Sequence, residues 1–389
     1  MPWKVKKPME LKMEFIKRLN EGERMSELCR EYGIQRKTGY KLKQRFAASG
    51  EPGLAEESRA PKHRPLKTPP EMEKLLLAER RKRPTWGPRK LKDVLEKRLG
   101  HPVPAASTIG DLLKRAGLVE TRRRRPKYRA VGTLLREAKA PNDVWCVDYK
   151  GQFRLGDRSY CYPLTMTDQY SRFLLGCEGM SKISDEAARE TCEEIFRAHG
   201  LPKVMRSDNG VPFSSTGLLG LSKLSAYWLR LGIVLERIRP SHPEENGQHE
   251  RMHRTLKRET TRPARMNLLQ QQERFDAWVE DFNHQRPHEA LGMKRPAEVY
   301  VPSMRPLPAR LPDLEYPTHD DVLRVGPSGH VHLPRRGNLF VSSALAGQQI
   351  GLRELDDGRW LLSFASLDLG YVDANRRFSP VSSAPPEGH

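Results

Sequence analysis

Three acidic side chains in the second half of the chain occur where a carboxylate could do chemistry. Asp148 lies inside the apolar run VWCVDYKG, Asp208 ends the run KVMRSD before an Asn-Gly pair, and Glu250 lies three residues after the glycine of a second Asn-Gly pair. A carboxylate in an apolar strand is costly unless it lies at the strand's end or binds something. Acids at strand ends and on an adjacent helix can converge on one point, where their oxygens suit Mg²⁺. The spacing therefore predicts a divalent-metal site.

Each of these acids also has an ordinary structural explanation. An Asp before Asn-Gly is most often a turn residue, and a helical glutamate is most often the solvated partner of a basic residue. Two further glutamates, Glu244 and Glu245, precede Glu250 in PEENGQHERMHRTLK, and we assign them to the loop before the helix. The metal site is favoured because the three acids occur in strand, strand and helix contexts, in that order.

The net charge of the chain is concentrated in its first third. Residues 1–140 hold 37 Lys and Arg against 17 Asp and Glu, whereas residues 141–389 hold 32 of each, so the whole excess of +20 lies in the N-terminal part. A separate basic module is the electrostatic signature of a protein that binds a polyanion, most often nucleic acid. A basic solubility segment is the alternative, and it is weakened because the same residues are predicted to fold.

Residues 1–50 predict a helix-turn-helix domain. The first helix carries an apolar stripe formed by Leu11, Phe15, Ile16 and Leu19. A short helix follows, with Ser26 as its N-cap and Gly33 at its end, and then a basic helix that ends at Gly50. In this motif the second helix enters the major groove of DNA, whereas three plain helices of a bundle are the alternative. The side chains that we expect to face DNA are Arg36, Lys37, Lys41 and Lys43.

A second helical unit follows a linker at residues 51–70, which is rich in Pro, Gly and charged residues. Residues 71–120 contain three helix patterns separated by Gly and Pro, which we interpret as a second helix-turn-helix, with or without a wing. Residues 121–140 begin with TRRRRPKYRA, which suits an extended arm on DNA phosphates or in a minor groove, with a solvated linker as the alternative. The arginines of this arm are Arg122, Arg123, Arg124 and Arg125.

Residues 141–300 predict an α/β core. Three strand-like runs (DVWCVDYKG, RSYCYPLTMTD and SRFLLGCEGM) precede a helix from the N-cap Ser184 to Gly200. A strand at PKVMRSD, a helix at TGLLGLSKLSAYWLRLG and a strand at IVLERIRP follow. This order makes a mixed five-stranded sheet flanked by helices. We assign Trp145 and Tyr149 to core packing.

The remaining residues predict a β domain. Residues 301–318 are a Pro-rich linker, residues 319–378 alternate short strands with Gly and Asp turns as in a small all-β barrel of about five strands, and residues 379–389 are expected to be disordered. The chain has neither a membrane-spanning apolar run nor the apolar core of a signal peptide. Its five cysteines lack CxxC spacing, which suggests a reducing cytosolic setting without structural zinc.

Three segments together resemble a known family. WCVDYKG, RSDNG and PEENGQHERMHRTLK are similar to the three motifs of the retroviral-integrase catalytic core, as found in bacterial insertion-sequence transposases. The resemblance is strongest over residues 140–300, including FNHQRPHEALGMKRPAEVY, and its helix-turn-helix preamble extends it to most of the chain. It implies a ribonuclease-H-like fold with the triad Asp148, Asp208 and Glu250, because the family's glutamate lies three residues after the glycine of the Asn-Gly turn.

The sequence departs from that family in two places. Retroviral integrases begin with a His/His/Cys/Cys zinc module, which Cys29 alone cannot supply, and helix-turn-helix units occupy that position instead. Also, 41 residues separate Asp208 from Glu250, more than in compact members, and we assign the extra length to the region of GVPFSSTGLLGLSKL. We therefore expect the loop near the site, but not the triad, to differ.

The resemblance implies a polynucleotidyl transferase that uses two Mg²⁺ ions, with Mn²⁺ as an alternative. Asp148 would bridge the ions, and Asp208 and Glu250 would complete their binding. One ion lowers the pKa of the nucleophile, which is water for cleavage or a DNA 3′-OH for strand transfer, and the other stabilises the leaving 3′ oxygen. No covalent enzyme intermediate is needed.

Basic residues follow Glu250 on its helix. His253, Arg254 and Lys257 stand at i+3, i+4 and i+7, so we expect them to hold DNA phosphates beside the reacting bond. The alternative is an i,i+4 Glu–Arg pair worth about 0.2–0.5 kcal/mol. His249 and His242 are as well suited to orienting the loop as to touching substrate.

The sequence thus predicts a DNA transposase that binds the terminal inverted repeats of an insertion sequence, cleaves the ends and transfers them to target DNA. The resemblance implies double-stranded DNA as partner, a homo-oligomer (dimer or tetramer) on DNA, no membrane, and a cytoplasmic, nucleoid-associated location. One alternative is a non-catalytic DNA-binding repressor with a degenerate core. Another is a ribonuclease-H-like nuclease without joining activity.

Overall fold

The computed structural model of the chain describes residues 8–56, 68–119, 135–239, 242–333, 337–375 and 377–381. The chain separates into two compact units, Met1–Thr68 and Pro69–His389. Three predicted features lie outside the described residues: most of the linker (57–67), the end of the tail (382–389) and the arm that carries Arg122, Arg123, Arg124 and Arg125.

The first unit consists of three helices around one core. They are α1 Pro8–Asn20, α2 Met25–Glu31 and α3 Arg36–Ser49. Phe15, Ile16 and Leu28 are buried together, and Leu19 packs against them. Leu11 is 39% exposed and so lies outside the predicted stripe. The three predicted helices are therefore confirmed, with a narrower apolar face on the first.

Two predicted boundaries of this unit are wrong. Arg24 is the N-cap of α2, so Ser26 lies inside the helix rather than capping it. This earlier start follows from packing, because Met25 already contacts the core of the unit. The linker does not begin at residue 51, because Glu51–Leu54 form a 3₁₀ turn whose Leu54 is completely buried in that core.

The second unit begins with three further helices, as predicted: α4 Pro70–Lys82, α5 Pro88–Leu99 and α6 Ala106–Arg115. Proline opens α4 and α5, where its fixed φ suits the first turn and its missing N–H is not needed. Leu76, Trp86, Leu91 and Ile109 are buried in their shared core. No strand occurs within residues 68–119, so the described part of this domain has no wing.

The α/β core is built on a mixed sheet. Its strands are β1 Val144–Tyr149, β2 Phe153–Arg154, β3 Tyr160–Asp168, β4 Leu174–Met180, β5 Val204–Ser207 and β6 Val234–Arg237. β3 pairs with β2, β4 and β1 in antiparallel fashion, and β1, β5 and β6 run parallel to one another. The predicted mixed five-stranded sheet is confirmed, with the two-residue β2 added at one edge.

Helices cover both faces of this sheet. They are α7 Asp185–His199, α8 Lys223–Arg230, α9 Gly247–Thr260 and α10 Leu268–His284. Ser184 caps α7 as predicted, by accepting a hydrogen bond from the Ala187 N–H. α8 begins later than predicted because Ser222 and Ser225 form a capping box there. α7 and α8 share one apolar core with β1, which buries Trp145, whereas α9 and α10 pack in a separate core with β3 and β4.

A polar cluster joins the α4–α5 segment to the α/β core. Glu259, on α9, accepts hydrogen bonds from Thr85 and from Trp278 Nε1, and both of its oxygens lie 3.0 Å from Nη1 of Arg286. A second ion pair joins Arg83 to Asp281 at 2.6 Å. The helical domain formed by α4, α5 and α6 is thus attached to α9, the helix that carries Glu250.

The C-terminal region contains two antiparallel sheets rather than about five strands in one barrel. The larger sheet contains β7 Asp321–Arg324, β10 Gln349–Glu354, β11 Trp360–Phe364, β12 Leu367–Val372 and β13 Phe378–Pro380, and the hairpin contains β8 His330–Leu333 and β9 Gly337–Phe340. The described edge strands β7 and β13 do not pair with each other, so the larger sheet is open. Because β13 reaches residue 380, the predicted disorder does not begin at residue 379.

The predicted Pro-rich linker at residues 301–318 is anchored to the α/β core. The Ser303 N–H donates to His199 O at 2.8 Å, and the Arg305 guanidinium donates to Leu231 O at 2.9 Å. Leu229 of α8 also lies in the core of the C-terminal sheets. The β region therefore shares its apolar core with α8 instead of being separated by a free linker.

Within the described part of the chain, no helix combines the length and the apolar character that crossing a membrane would require.

Candidate active site

Asp148 lies near the end of β1, in the middle of the sheet. It stands opposite Thr165 of β3, and its side chain is 20% exposed. Burial, together with the negative charge of Asp208 and a smaller contribution from Glu250, raises the pKa of Asp148 to about 7. Ionising this carboxyl group is therefore costly, and a nearby cation would stabilise the ionised form.

Asp208 directly follows β5, the parallel neighbour of β1. The parallel pairing carries the acids of both strands to the same edge of the sheet. Oδ1 of Asp208 accepts a hydrogen bond from the Gly210 N–H at 3.1 Å, so the predicted turn is present. A Cβ atom at Gly210 would lie 3.1 Å from Oδ2 of Asp208, so a larger residue would press on this carboxylate.

Glu250 is exposed in the first turn of α9. Glu245 accepts hydrogen bonds from the backbone N–H and Nε of Arg239 at 2.8 and 2.7 Å, as a loop residue would. The side chain of Glu244 lies outside the described part of the chain. Glu245 therefore belongs to the loop, whereas Glu250 lies on the exposed face of the helix.

The structure brings Asp208 and Glu250 into electrostatic range of Asp148. Asp208 and Glu250 both raise the pKa of Asp148. Among the residues that the structure describes, the potential metal ligands whose atoms lie within 4.8 Å of one another are Asp148, His249 and His253, not the acidic triad.

Two buried histidines of α9 are hydrogen-bonded to β3 beside Asp148. The Thr165 hydroxyl lies 2.8 Å from His249 Nε2 and 2.7 Å from His253 Nε2, and it donates to the Asp148 carbonyl at 3.1 Å. The Thr167 hydroxyl lies 2.9 Å from His249 Nδ1. Burial lowers the pKa of His249 to about 3, so this ring is neutral. Of the two open explanations, orientation is the one that the contacts of His249 support.

The predicted role of His253 on the DNA face is wrong. Its side chain is buried, because the face of α9 that packs on the sheet includes Met252, His253 and Leu256. Its Nδ1 lies 3.7 Å from Asp148 Oδ2. Burial lowers the pKa of His253, and the proximity of His249 and of the Lys150 ammonium lowers it further. His253 therefore faces the acid on β1 rather than a phosphate in solvent.

The other two basic residues predicted on this face, Arg254 and Lys257, are exposed. The sequence prediction missed Lys150, which stands two positions after Asp148. Burial lowers the pKa of Lys150, as does the charge of Lys257, while Asp148 and Glu250 raise it. Side chains of an extended strand alternate between its two sides, so Lys150 lies on the same side of the chain as Asp148. This alternation could have identified Lys150 from the sequence.

A cationic pocket of about 490 Å³ lies along another flank of α9. Its basic residues are Lys90, Arg172, Arg251, Arg254 and Arg286. Burial, together with the charge of Arg286, lowers the pKa of Lys90 to about 8. The two carboxylates of the pocket are engaged elsewhere, since Asp168 accepts hydrogen bonds from Asn142 and Ser171 and Glu289 binds Arg89. Sequence patterns did not identify this pocket, because its residues come from distant segments.

The predicted DNA-contacting residues of the first unit are accessible to solvent. All four, Arg36, Lys37, Lys41 and Lys43, are exposed on α3. Tyr40 of the same helix is 58% exposed.

Trp145 is completely buried, and Tyr149 packs in the same core with its ring 5.7 Å from that of Phe213, so both predictions of core packing are confirmed.

Four family matches cover the chain in order. Residues 8–55 and residues 38–113 match homeodomain-like domains, and residues 138–243 and 231–296 match integrase core domains. The helical domains and the α/β core described above therefore correspond to known families, and the acids lie within the matched core.

Curated relatives include mobile-element and viral proteins. An uncharacterized 31.7 kDa protein of insertion element IS407 from Burkholderia multivorans is 27% identical over 229 residues, which cover 57% of this chain and 77% of that protein. The Gag-Pol polyprotein of baboon endogenous virus is 30% identical over 176 residues, 45% of this chain. The aligned part is only 10% of that polyprotein.

Solved structures include the integrase catalytic core domain of HTLV-2 in complex with magnesium. The alignment with it has 14% sequence identity, covers 42% of the present chain and 100% of the HTLV-2 chain, and has a TM-score of 0.34.

Proposed function

We propose that this chain, which matches integrase core domains over residues 138–243 and 231–296 and homeodomain-like domains ahead of them, is a DNA transposase. It binds the ends of an insertion sequence, cleaves them and joins them to target DNA. The observation that carries the proposal is that Asp148 and Asp208 lie at the ends of two neighbouring parallel strands and that Asp208 and Glu250 both raise the pKa of Asp148. The similarity to a protein of insertion element IS407 supports the same function.

The proposed catalytic and metal-binding residues are Asp148, Asp208 and Glu250. Their oxygens fit hard divalent cations, and the raised pKa of Asp148 means that its carboxylate would be stabilised by one. Two Mg²⁺ ions, or Mn²⁺ in their place, would supply Lewis acidity to the nucleophile and to the leaving 3′ oxygen. The chain itself supplies the fixed strand ends that hold two of the acids and the helix that holds the third.

Basic side chains beside the acids would position the substrate. Lys150, Arg254 and Lys257 offer cations near Glu250, where phosphates of the cut strand would lie. These residues would orient the phosphodiester for attack in line with the leaving oxygen, which is the main protein contribution to such a displacement.

The proposed partner is double-stranded DNA, both element ends and target. The exposed basic residues of α3, namely Arg36, Lys37, Lys41 and Lys43, would contact the element end in the major groove. Arg122, Arg123, Arg124 and Arg125 would add phosphate contacts outside the described residues. A homo-oligomer on DNA, a dimer or tetramer, is proposed because two ends must be processed together.

The function is tested by incubating the full chain with labelled DNA from the ends of its own element. We expect Mg²⁺-dependent cuts that leave a 3′-OH at the element end, and their loss in Asp208→Asn. Specific binding without cleavage under any metal condition would favour the repressor. Equal cleavage of unrelated RNA–DNA hybrids without end specificity would favour a general nuclease.

A further inference from the structure

The hydrogen-bond network between α9 and β3 determines which nitrogen of His253 carries hydrogen. The Thr165 hydroxyl has one hydrogen, and its partner at 3.1 Å, the Asp148 carbonyl oxygen, can only accept. The hydroxyl hydrogen of Thr165 is therefore donated to the Asp148 carbonyl oxygen and cannot be donated to a histidine. The two ring nitrogens that contact the same hydroxyl oxygen, Nε2 of His249 and Nε2 of His253, must then both donate to it.

This assignment is consistent at the other end of the network. A neutral His249 that carries its hydrogen on Nε2 has a bare Nδ1, and the Thr167 hydroxyl, 2.9 Å away, can donate to it. Both nitrogens of His249 are then satisfied within the protein. His249 therefore has no lone pair left for a cation, although it lies within ligand range of Asp148 and His253.

His253 differs from His249 in its second nitrogen. With hydrogen on Nε2, its Nδ1 presents a lone pair, and the atom that it faces is Oδ2 of Asp148 at 3.7 Å. Two acceptor atoms that face each other inside a protein are unfavourable unless a cation or a proton lies between them. When two ligand atoms each bind the same cation at about 2.1 Å, the distance between the two ligand atoms is roughly 3.0 to 4.2 Å, depending on the angle at the ion. The observed distance lies within that interval.

We propose that Nδ1 of His253 is a metal ligand that shares one divalent cation with the carboxylate of Asp148. The inference rests on the proposed metal site and adds a nitrogen donor to a set otherwise made of oxygens. Thr165 and His249 act as positioning residues, because they hold the ring in the tautomer whose lone pair faces Asp148. Imidazole favours transition metals over Mg²⁺, so this site binds Mn²⁺ more tightly than an all-oxygen site would.

The inference is tested with the full chain and Mn²⁺ alone, without DNA and without a measure of activity. Pulsed electron paramagnetic resonance detects nitrogen nuclei bonded to Mn²⁺. We expect nitrogen modulation in the wild type, and a change of that modulation when only histidine is labelled with the heavy nitrogen isotope. This labelling needs no substitution, so the result does not depend on whether a variant folds.

Two variants sharpen the assignment. We expect His253→Gln to lose the histidine modulation and to bind Mn²⁺ at least about 10-fold more weakly, because even the loss of a residue that only orients a metal ligand costs roughly 10- to 100-fold. His284→Gln, at an exposed histidine at the end of α10 that takes no part in this network, is the control, and it should keep both the modulation and the affinity.

Two results would overturn the inference, and they are distinguishable. If Mn²⁺ binding disappears in Asp148→Asn but the wild type shows no histidine modulation, the metal site stands and the nitrogen ligand does not. If no Mn²⁺ binding depends on Asp148, the proposed metal site fails as well.

Discussion

Replacing Asp148 by Asn should stabilise the metal-free protein at alkaline pH, although Asp148 is proposed to be essential for catalysis. The folded structure raises the pKa of this carboxyl from 3.8 to about 7, mainly by burial. A rise of about three pKa units is worth about 4 kcal/mol, since each unit is about 1.4 kcal/mol. The side chain is still 20% exposed and interacts with other acids, and both circumstances reduce the effect of removing this one charge. We therefore expect Asp148→Asn to raise the free energy of unfolding by about 2–4 kcal/mol.

The direction of the pH dependence follows from the raised pKa. Between about pH 4 and 7 the folded protein retains a proton on Asp148 that the unfolded chain releases, so this residue lowers stability as pH rises through that interval. Above it, the loss is complete. The advantage of Asp148→Asn should therefore be largest at about pH 8, less than half as large at about pH 5, small at about pH 4, and reduced by Mg²⁺, which stabilises the wild-type carboxylate.

The assay is denaturant unfolding of the full chain in a chelator, followed by the fluorescence of its tryptophans, with and without excess Mg²⁺. Glu178→Gln is the matched control, because burial raises the pKa of Glu178 to about 7 as well, with further contributions from Asp276 and Glu194 rather than from the triad. Glu178→Gln should also stabilise the protein at alkaline pH, but Mg²⁺ should not change that gain. A lower or unchanged stability of Asp148→Asn at about pH 8 without metal would refute the reasoning.

Three further predictions concern the surroundings of the site. Leu54→Ala should destabilise the first unit by about 2–5 kcal/mol, since it empties a completely buried position, and hydrogen exchange should rise in α1–α3 but not in α9. Glu259→Gln should lower the free energy of unfolding by about 3 kcal/mol, because Arg286 then loses its buried counter-charge. It should also speed hydrogen exchange in α4, α5 and α9, and an unchanged exchange pattern would exclude Glu259 as the link between these helices. Arg254→Gln and Lys257→Gln should each reduce the salt dependence of DNA binding by about one phosphate contact, and an unchanged slope would remove that residue from the DNA face.

Local patterns predicted the elements that position the site. Apolar strand runs identified β1, β3, β4, β5 and β6, and Ser184 marked the start of α7, because strand alternation and helix capping depend on neighbouring residues. The order of Asp148, Asp208 and Glu250 then followed from strand and helix contexts. Parallel pairing of β1 with β5 is what carries the first two acids to a common edge.

Long-range packing explains what the patterns did not predict. His253 stands three residues after Glu250, which suggested a shared face, but the tight packing of α9 on β3 turns His253 inward to Thr165. Ser26 lost its capping role because the core already includes Met25. The contact of Glu259 with Thr85 joins residues 174 positions apart, and no local periodicity reports such a pair.

The central claim is that Asp148, Asp208 and Glu250 join DNA ends by metal-dependent chemistry. The most direct measurement is strand transfer of a pre-cut, labelled element end into target DNA, with Mg²⁺, by the wild type and by Asp148→Asn, Asp208→Asn, Glu250→Gln and the control Glu178→Gln. We predict joined products with the wild type and Glu178→Gln, and none with the other three, while all five bind the end equally well. Joining that survives in any one of the three triad variants would contradict the assignment of that residue, and the absence of joining in the wild type would contradict the proposed activity.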